Sequence, residues 1–248
     1  MKLVLAEPRF LKDSIGVISD IVNDVSIKFK PDRMELVAMD PASVAMIVFN
    51  LLSSAFVEYN VDKEYKISIN LESFKQVLRR AKPSDTLSIE LDEKKNKLKV
   101  QLKGDSLRTF NIALLEASYK EQRIPDLKFS GEIELNTSVF DEAIEDMEVV
   151  AESVSLTAEN DKLIIEAEGR MNHARVEIPK DEDTSIVLSG GNVSARYSLE
   201  YLKKIIKASK LADTVKLNFD NEYPLRIEYK VLDKLNLITI LAPRVQNE

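Results

Sequence analysis

Lys75, Arg79 and Lys82 recur at i, i+4 and i+7, and Lys203, Lys207 and Lys210 repeat that spacing further along the chain. On an α-helix these steps place three cations on one face. Arg80 and Lys204 flank the two stripes, and Arg9 and Lys12 add a smaller basic contribution near the N-terminus. A charged outer face is ordinarily a solvated one. Like charges one turn apart, however, cost an isolated helix about 0.2–0.5 kcal/mol per pair, where opposite charges would stabilise it. Two matched all-positive stripes in a chain of net charge −7 therefore point to a polyanion, held by phosphate contact without sequence reading. Aromatic residues are 6% of the chain, too few to offer a stacking platform for single-stranded bases. No major-groove reading helix, RNA-recognition signature or zinc finger is visible.

Other reactive groupings are thin. His173 is the only histidine and there is no cysteine, which leaves neither a histidine metal cage nor a Ser-His-Asp arrangement nor a thiolate site. His173 reads as a surface or interface residue. Asp141, Glu142, Glu145, Asp146 and Glu148 form an acidic helix face that could in principle hold a divalent ion for hydrolysis. No second carboxylate cluster or phosphate-cradling loop accompanies it, so a solvated face is the preferred reading. Gly190-Gly191 lacks the rest of a nucleotide-binding fingerprint and reads as a turn. No catalytic residue, metal or cofactor is expected.

The elements that must carry these residues repeat. Shifted by 129, the first part of the chain lies on the third: Ile15 on Ile144, Val25 on Val154, Asp32 on Asp161, Leu36 on Ile165. Shifted by 128, the second part lies on the fourth: Leu71 on Leu199, Lys75 on Lys203, Lys82 on Lys210, Asp85 on Asp213. One domain has been duplicated. Each half again holds two copies of a helix followed by alternating strands. Leu11, Ile15, Ile18 and Val22 predict a helix from about residue 9 to 23. Phe74, Val77, Leu78 and Ala81 predict a second helix, Phe140, Ile144, Met147 and Ala151 a third, and Leu202, Ile205 and Ile206 a fourth. Period-two runs predict hairpins at Val25–Phe29 with Met34–Ala38, at Leu87–Leu91 with Leu98–Leu102, and at Val215–Phe219 with Leu225–Tyr229. The fold class is α+β, two duplicated domains each with two helices packed on antiparallel sheets. The aperiodic stretch carrying Pro125 divides the chain into an N-terminal domain over 1–115, a connector over 116–128 and a C-terminal domain over 129–248.

Composition agrees with folding throughout: 44% hydrophobic, 31% charged, 6 Gly and 8 Pro in 248 residues. No signal segment or apolar run near 18 residues occurs, so no membrane partner is expected and an intracellular, cytoplasmic setting is.

Local motifs add a family. LVAMDPASVAMI (Leu36 to Ile47), the long stretch Tyr197 to Val231, Ile124-Pro125 and LAPRV (Leu241 to Val245) together resemble the proliferating cell nuclear antigen family of sliding clamps. The likeness spans essentially the whole chain. It implies the DNA-clamp fold: a pseudo-sixfold ring of three two-domain subunits, homotrimeric or heterotrimeric with clamp paralogues, with helices lining a hole that holds double-stranded DNA. It implies a groove for short partner peptides, made by Met39, Val44, Met46, Ile124, Pro125, Pro224, Leu241, Ala242 and Pro243. The partners implied are the clamp loader, DNA polymerase, flap endonuclease and DNA ligase. Gln122 and Arg123 stand where some relatives have a more apolar connector, and Ser43 replaces a frequent His. Subunits would join by edge strands, Arg108 to Leu114 of one (Arg108, Phe110, Ile112) against His173 to Pro179 of the next (Arg175, Val176, Ile178). A regulatory clamp paralogue is the closest alternative, an acidic-site hydrolase the remoter one.

Overall fold

The computed structural model of the chain describes residues 1–116 and 122–245. Part of the expected connector, 117–121, lies outside the described residues. The chain divides into two compact units, one of Met1–Pro41, Ile47–Ile124 and Val231–Leu237, the other of Ala42–Met46, Pro125–Lys230 and Ile238–Glu248.

The first unit opens with β1 (Lys2–Leu5), α1 (Arg9–Ser19), β2 (Asp24–Lys30), β3 (Arg33–Met39) and β4 (Ala45–Leu52). It continues through β5 (Glu58–Asn60), β6 (Tyr65–Asn70), α2 (Leu71–Arg79), β7 (Thr86–Asp92), β8 (Lys97–Lys103) and β9 (Leu107–Ala113). Strands β5-β1-β7-β8-β9 form one antiparallel sheet, and β4-β3-β2-β6 run side by side in a second. The second unit holds β10 (Gly131–Asn136), α3 (Thr137–Glu148), β11 (Ser153–Ala158), β12 (Lys162–Glu168), β13 (His173–Pro179) and β14 (Ser185–Leu188). After these come β15 (Val193–Ser198), α4 (Leu199–Ile205), β16 (Thr214–Phe219) and β17 (Leu225–Val231), then β18 (Leu235–Leu241), whose residues up to Leu237 belong to the first unit. Here β13-β12-β11-β15 form a four-stranded sheet, and β14, β10, β16 and β17 are hydrogen-bonded neighbours in that order. The duplicated α+β architecture expected from the repeats is present.

Alternation decides the registers. In β2 and β3 every second residue is buried, and the hairpin aligns Ile27 with Leu36 and Phe29 with Met34. Likewise Leu87, Ile89 and Leu91 face Leu102, Val100 and Leu98 across β7 and β8. A one-residue slip would turn these side chains to water, so burial fixes the pairing. In the first unit α1 and α2 pack together; in the second, α3 packs with α4 and on β10, β11 and β12.

Helix starts have local causes. Asn70 accepts a hydrogen bond from the Ser73 backbone N–H at 3.0 Å, and Asn136 accepts one from Ser138 at 3.1 Å. These caps satisfy amide donors that a first turn otherwise leaves unpaired. Helix ends come earlier than periodicity predicts. α1 stops at Ser19, with Ile21 and Val22 donating to the Ile18 carbonyl from a tight turn, so both stay buried without continuing the helix. Ala81 and Ala151 lie beyond the ends of α2 and α3.

The largest difference from expectation is the fourth helix. It is α-helical only to Ile205 and tightens into a 3-10 turn over Ile206–Lys210. Leu202, Ile205, Ala208 and Leu211 are all buried, a spacing of three that suits three residues per turn and not 3.6.

Candidate nucleic-acid and partner surfaces

The tightening of the fourth helix redraws its basic stripe. At three residues per turn, Lys204, Lys207 and Lys210 fall in line, in place of Lys203, Lys207 and Lys210. Lys207 and Lys210 are exposed. Lys203 is half-buried and ion-paired with Glu148 at the end of α3. Lys204 bonds Glu200 at 3.0 Å, one turn back.

On the second helix a similar sorting occurs. Lys75 was expected opposite the core, but its side chain is only 19% exposed and its Nζ sits 3.0 Å from Asp20 Oδ1, at the C-terminal cap of α1. It therefore pins α2 to α1. Arg79 occupies the last turn of α2, Arg80 caps it, and Lys82 lies past the end; all three are exposed. Cations at a helix C-terminus also gain about 0.3–1 kcal/mol from the helix dipole, a structural reason for Arg79, Lys203 and Lys204 that exists alongside any ligand. Lys12 donates to the Ala81 carbonyl at 3.1 Å, and Arg9 lies over the Phe10 ring at 5.0 Å.

The segment after α2 is held by Asp85, which accepts the Lys82 N–H at 2.7 Å and is ion-paired with Arg108 of β9. The Lys82 amide and the Arg108 guanidinium hold its carboxyl below the usual aspartate range despite its burial. Arg108 also donates to the Arg80 carbonyl at 2.9 Å. Sequence reasoning placed Arg108 at a subunit edge; within the chain it is the link between that edge and the basic turn. Sequence reasoning named Glu148 only within the acidic helix face and Asp85 only as the repeat partner of Asp213, and did not name Asp20; none was read as a tether, because no spacing rule connects Asp20 to Lys75, Asp85 to Arg108 or Glu148 to Lys203.

The acidic face of α3 is uneven. Glu142, Glu145, Asp146 and Glu148 are exposed, whereas Asp141 turns partly inward. Burial, with the neighbouring Glu145 and Glu142 charges, pushes the Asp141 carboxyl above its usual range, against a Ser209 hydrogen bond that lowers it. Among the described residues no group of three or more His, Cys, Asp or Glu side chains is placed to hold a metal ion.

Strands β9 and β13 end their sheets. Both show one seven-residue burial pattern, with Phe110 and Val176 half-buried at the fourth position and Ile112 and Ile178 buried at the sixth. On β13, Arg175 bonds Glu177 at 2.7 Å, and His173 lies 2.5 Å from Glu166, so the sole histidine sits on the surface within hydrogen-bond reach of a carboxylate.

Of the residues expected to form a peptide groove, Met39 in the first unit is half-buried and Ile124 is 52% exposed. Both line a cleft of about 610 Å³ on the sheet face of β2, β3, β4 and β6. In the second unit the Ala242 N–H donates to the Val44 carbonyl at 2.9 Å. Val44, Pro224, Ala242 and Pro243 are half-buried and Pro125 is exposed. Met46 and Leu241 are core residues, at 5% and 0% exposure, and offer support from beneath instead of contact area. No helix of the described residues is long and apolar enough to cross a membrane.

Comparison with known proteins places this arrangement in a family. Residues 1–120 match the N-terminal domain of proliferating cell nuclear antigen, and residues 123–244 match its C-terminal domain. The DNA polymerase sliding clamp of Nanoarchaeum equitans is 36% identical over 248 residues, covering 98% of this chain and 99% of the relative. That of Thermococcus onnurineus is 31% identical over 247 residues, covering 99% of each. The crystal structure of the Thermococcus kodakaraensis proliferating cell nuclear antigen superposes with a TM-score of 0.92 at 26% identity, covering 98% of this chain and 99% of that one. A chain of the PCNA2–PCNA3 complex of Sulfolobus tokodaii gives 0.89 at 26% identity over the same shares. With both domain matches and whole-length relatives in hand, the chain belongs to the proliferating cell nuclear antigen family of DNA polymerase sliding clamps, with archaeal-type homologues.

Proposed function

We propose that three such subunits close into a ring around double-stranded DNA and that the ring tethers replication and repair enzymes to it. The observation that carries this reading is that the edge strands β9 and β13, each paired on one side only, have one shared burial pattern. Edge strands left open invite aggregation, and pairing β9 of one subunit with β13 of the next satisfies both. The exposed Arg79, Arg80, Lys82, Lys207 and Lys210 supply phosphate contacts that attract without reading bases. Arg9, Lys12 and Lys204 add to the same field, while Lys75 and Lys203 act mainly by holding helices together. Short peptides from the clamp loader, DNA polymerase, flap endonuclease and DNA ligase would dock through apolar anchors on Met39, Ile124, Val44, Pro224, Ala242 and Pro243. An intracellular setting accords with a chain that has no cysteine. Retention on closed circular duplex, lost when the circle is cut, is the expected result; equal retention on both forms defeats encirclement.

A second reading, a regulatory subunit of a mixed ring, is favoured by the acidic face of α3, which no basic stripe matches in the duplicated helix α1. Pull-down with polymerase, nuclease and ligase peptides separates the two, since a regulatory subunit would capture none of them.

A further inference from the structure

The cleft on the β2, β3, β4 and β6 face has a charge pattern that the clamp reading alone does not explain. Its wall carries four cations, Lys28, Arg33, Lys66 and Arg123, against two carboxylates, Asp24 and Glu35. Both carboxylates already have partners: Glu35 bonds Lys30 at 2.9 and 3.0 Å, and Asp24 accepts from Asn70 at 2.8 Å. Lys28 and Lys66 are direct cross-strand neighbours, a like-charge placement that weakens a sheet pair. Lys66 and Arg123 are exposed and have no ion pair among the described residues. Arg33 Nε and Asn50 Oδ1, also in the cleft lining, are buried without a hydrogen-bond partner within the protein. Against these polar groups stand Val37, Met39, Val48 and Ile124, an apolar strip that includes two of the proposed peptide anchors, Met39 and Ile124.

We infer that this cleft receives an acidic, extended segment flanking the apolar anchor of a partner peptide. The inference rests on the proposed peptide-docking role, because Met39 and Ile124 belong to both surfaces. The volume of about 610 Å³ admits a short stretch of chain and not a folded domain. The polar groups suit a carboxylate: the exposed Lys66 ammonium offers point charge and the Arg123 guanidinium can hold two oxygens at once, while Arg33 is already ion-paired with Asp32 at 2.8 Å and adds only to the local field. An acidic flank would thereby sort partners by charge as well as by anchor.

The test is calorimetric titration of the full chain with three synthetic peptides sharing one apolar-aromatic anchor. Their flanks are four residues of Asp/Glu, Ser or Lys, placed in turn before and after the anchor. The acidic flank, on one side, is expected to bind roughly tenfold more tightly than the Ser flank, about 1.4 kcal/mol, and to lose most of that advantage at 1 M salt, where screening acts within ~3 Å. The double variant Lys66→Glu/Arg123→Glu should erase or reverse the preference while leaving the Ser-flanked peptide unchanged, with circular dichroism confirming the fold. Equal binding of acidic and Ser flanks on both sides overturns the cleft assignment and leaves peptide docking standing. Failure of every peptide to bind removes the docking role, and the assignment with it.

Discussion

Asp141 and Asp85 show how one side-chain type does opposite work in the two units. Asp141 is half-buried beside like charges and its carboxyl is raised, so at neutral pH its charged form is disfavoured by the fold. A raised folded value means the neutral form contributes stability below the ordinary value of 3.8, and that contribution is lost as pH rises through the folded value. Asp141→Asn should therefore raise the urea midpoint at pH 7, and its advantage should vanish below about pH 3.8; an unchanged midpoint at pH 7 contradicts this. Asp85 runs the other way. Its carboxyl is lowered by the Lys82 amide and then by Arg108, so its contribution is present above 3.8 and is lost as pH falls through the folded value. Asp85→Asn should destabilise at pH 7, with the deficit shrinking at pH 3. Loosening Asp85 should also free Arg108 and the turn carrying Lys82, seen as faster amide exchange at Lys82 and in β9.

At the scale of elements, the change from α to 3-10 geometry decides which lysines are available to a polyanion. Substituting Lys207 and Lys210 by Ala should lower the slope of log affinity for duplex DNA against log salt by up to about 0.9 per phosphate contact removed. Lys203→Ala should change that slope less and instead cost up to about 1 kcal/mol of stability, because its partner Glu148 is half-exposed and solvent screens the pair. Equal slope changes for Lys203 and Lys207 would reject this division. The same element shows what sequence can and cannot disclose. Leu202, Ile205 and Ile206 announce a helix, and strand alternation announces hairpins such as Ile27 against Leu36, because burial imposes periodicity locally. The turn at Ile206 is set by where Ala208 and Leu211 must be buried, a tertiary demand that periodicity does not encode. Lys75 and Lys203 look equivalent to Arg79 and Lys207 by spacing alone, yet Arg79 and Lys207 are exposed whereas Lys75 and Lys203 are half-buried against Asp20 and Glu148, 55 residues away in each case. The Lys28–Lys66 neighbour pair was likewise invisible without the β2–β6 register.

At the scale of the whole molecule, function depends on whether a 28.1 kDa chain closes with its neighbours. The proposed joint uses backbone groups that water can otherwise satisfy, so its strength must come from the half-buried side chains at matching positions, Phe110 on β9 and Val176 on β13. Placing a charge at either position sets an unpaired ion into the joint, a cost of several kcal/mol, while in the free subunit that position still reaches water. Phe110→Asp or Val176→Asp should thus leave each chain folded but hold it at subunit mass by light scattering, alone or mixed with clamp paralogues, where the unaltered chain is expected to reach three subunits. Because encirclement and phosphate attraction are separate, such a variant should lose retention on closed circular DNA while keeping its weak, salt-sensitive affinity for a short linear duplex. A variant that stays folded, remains at three-subunit mass and still holds circular DNA would mean that closure runs through some other surface.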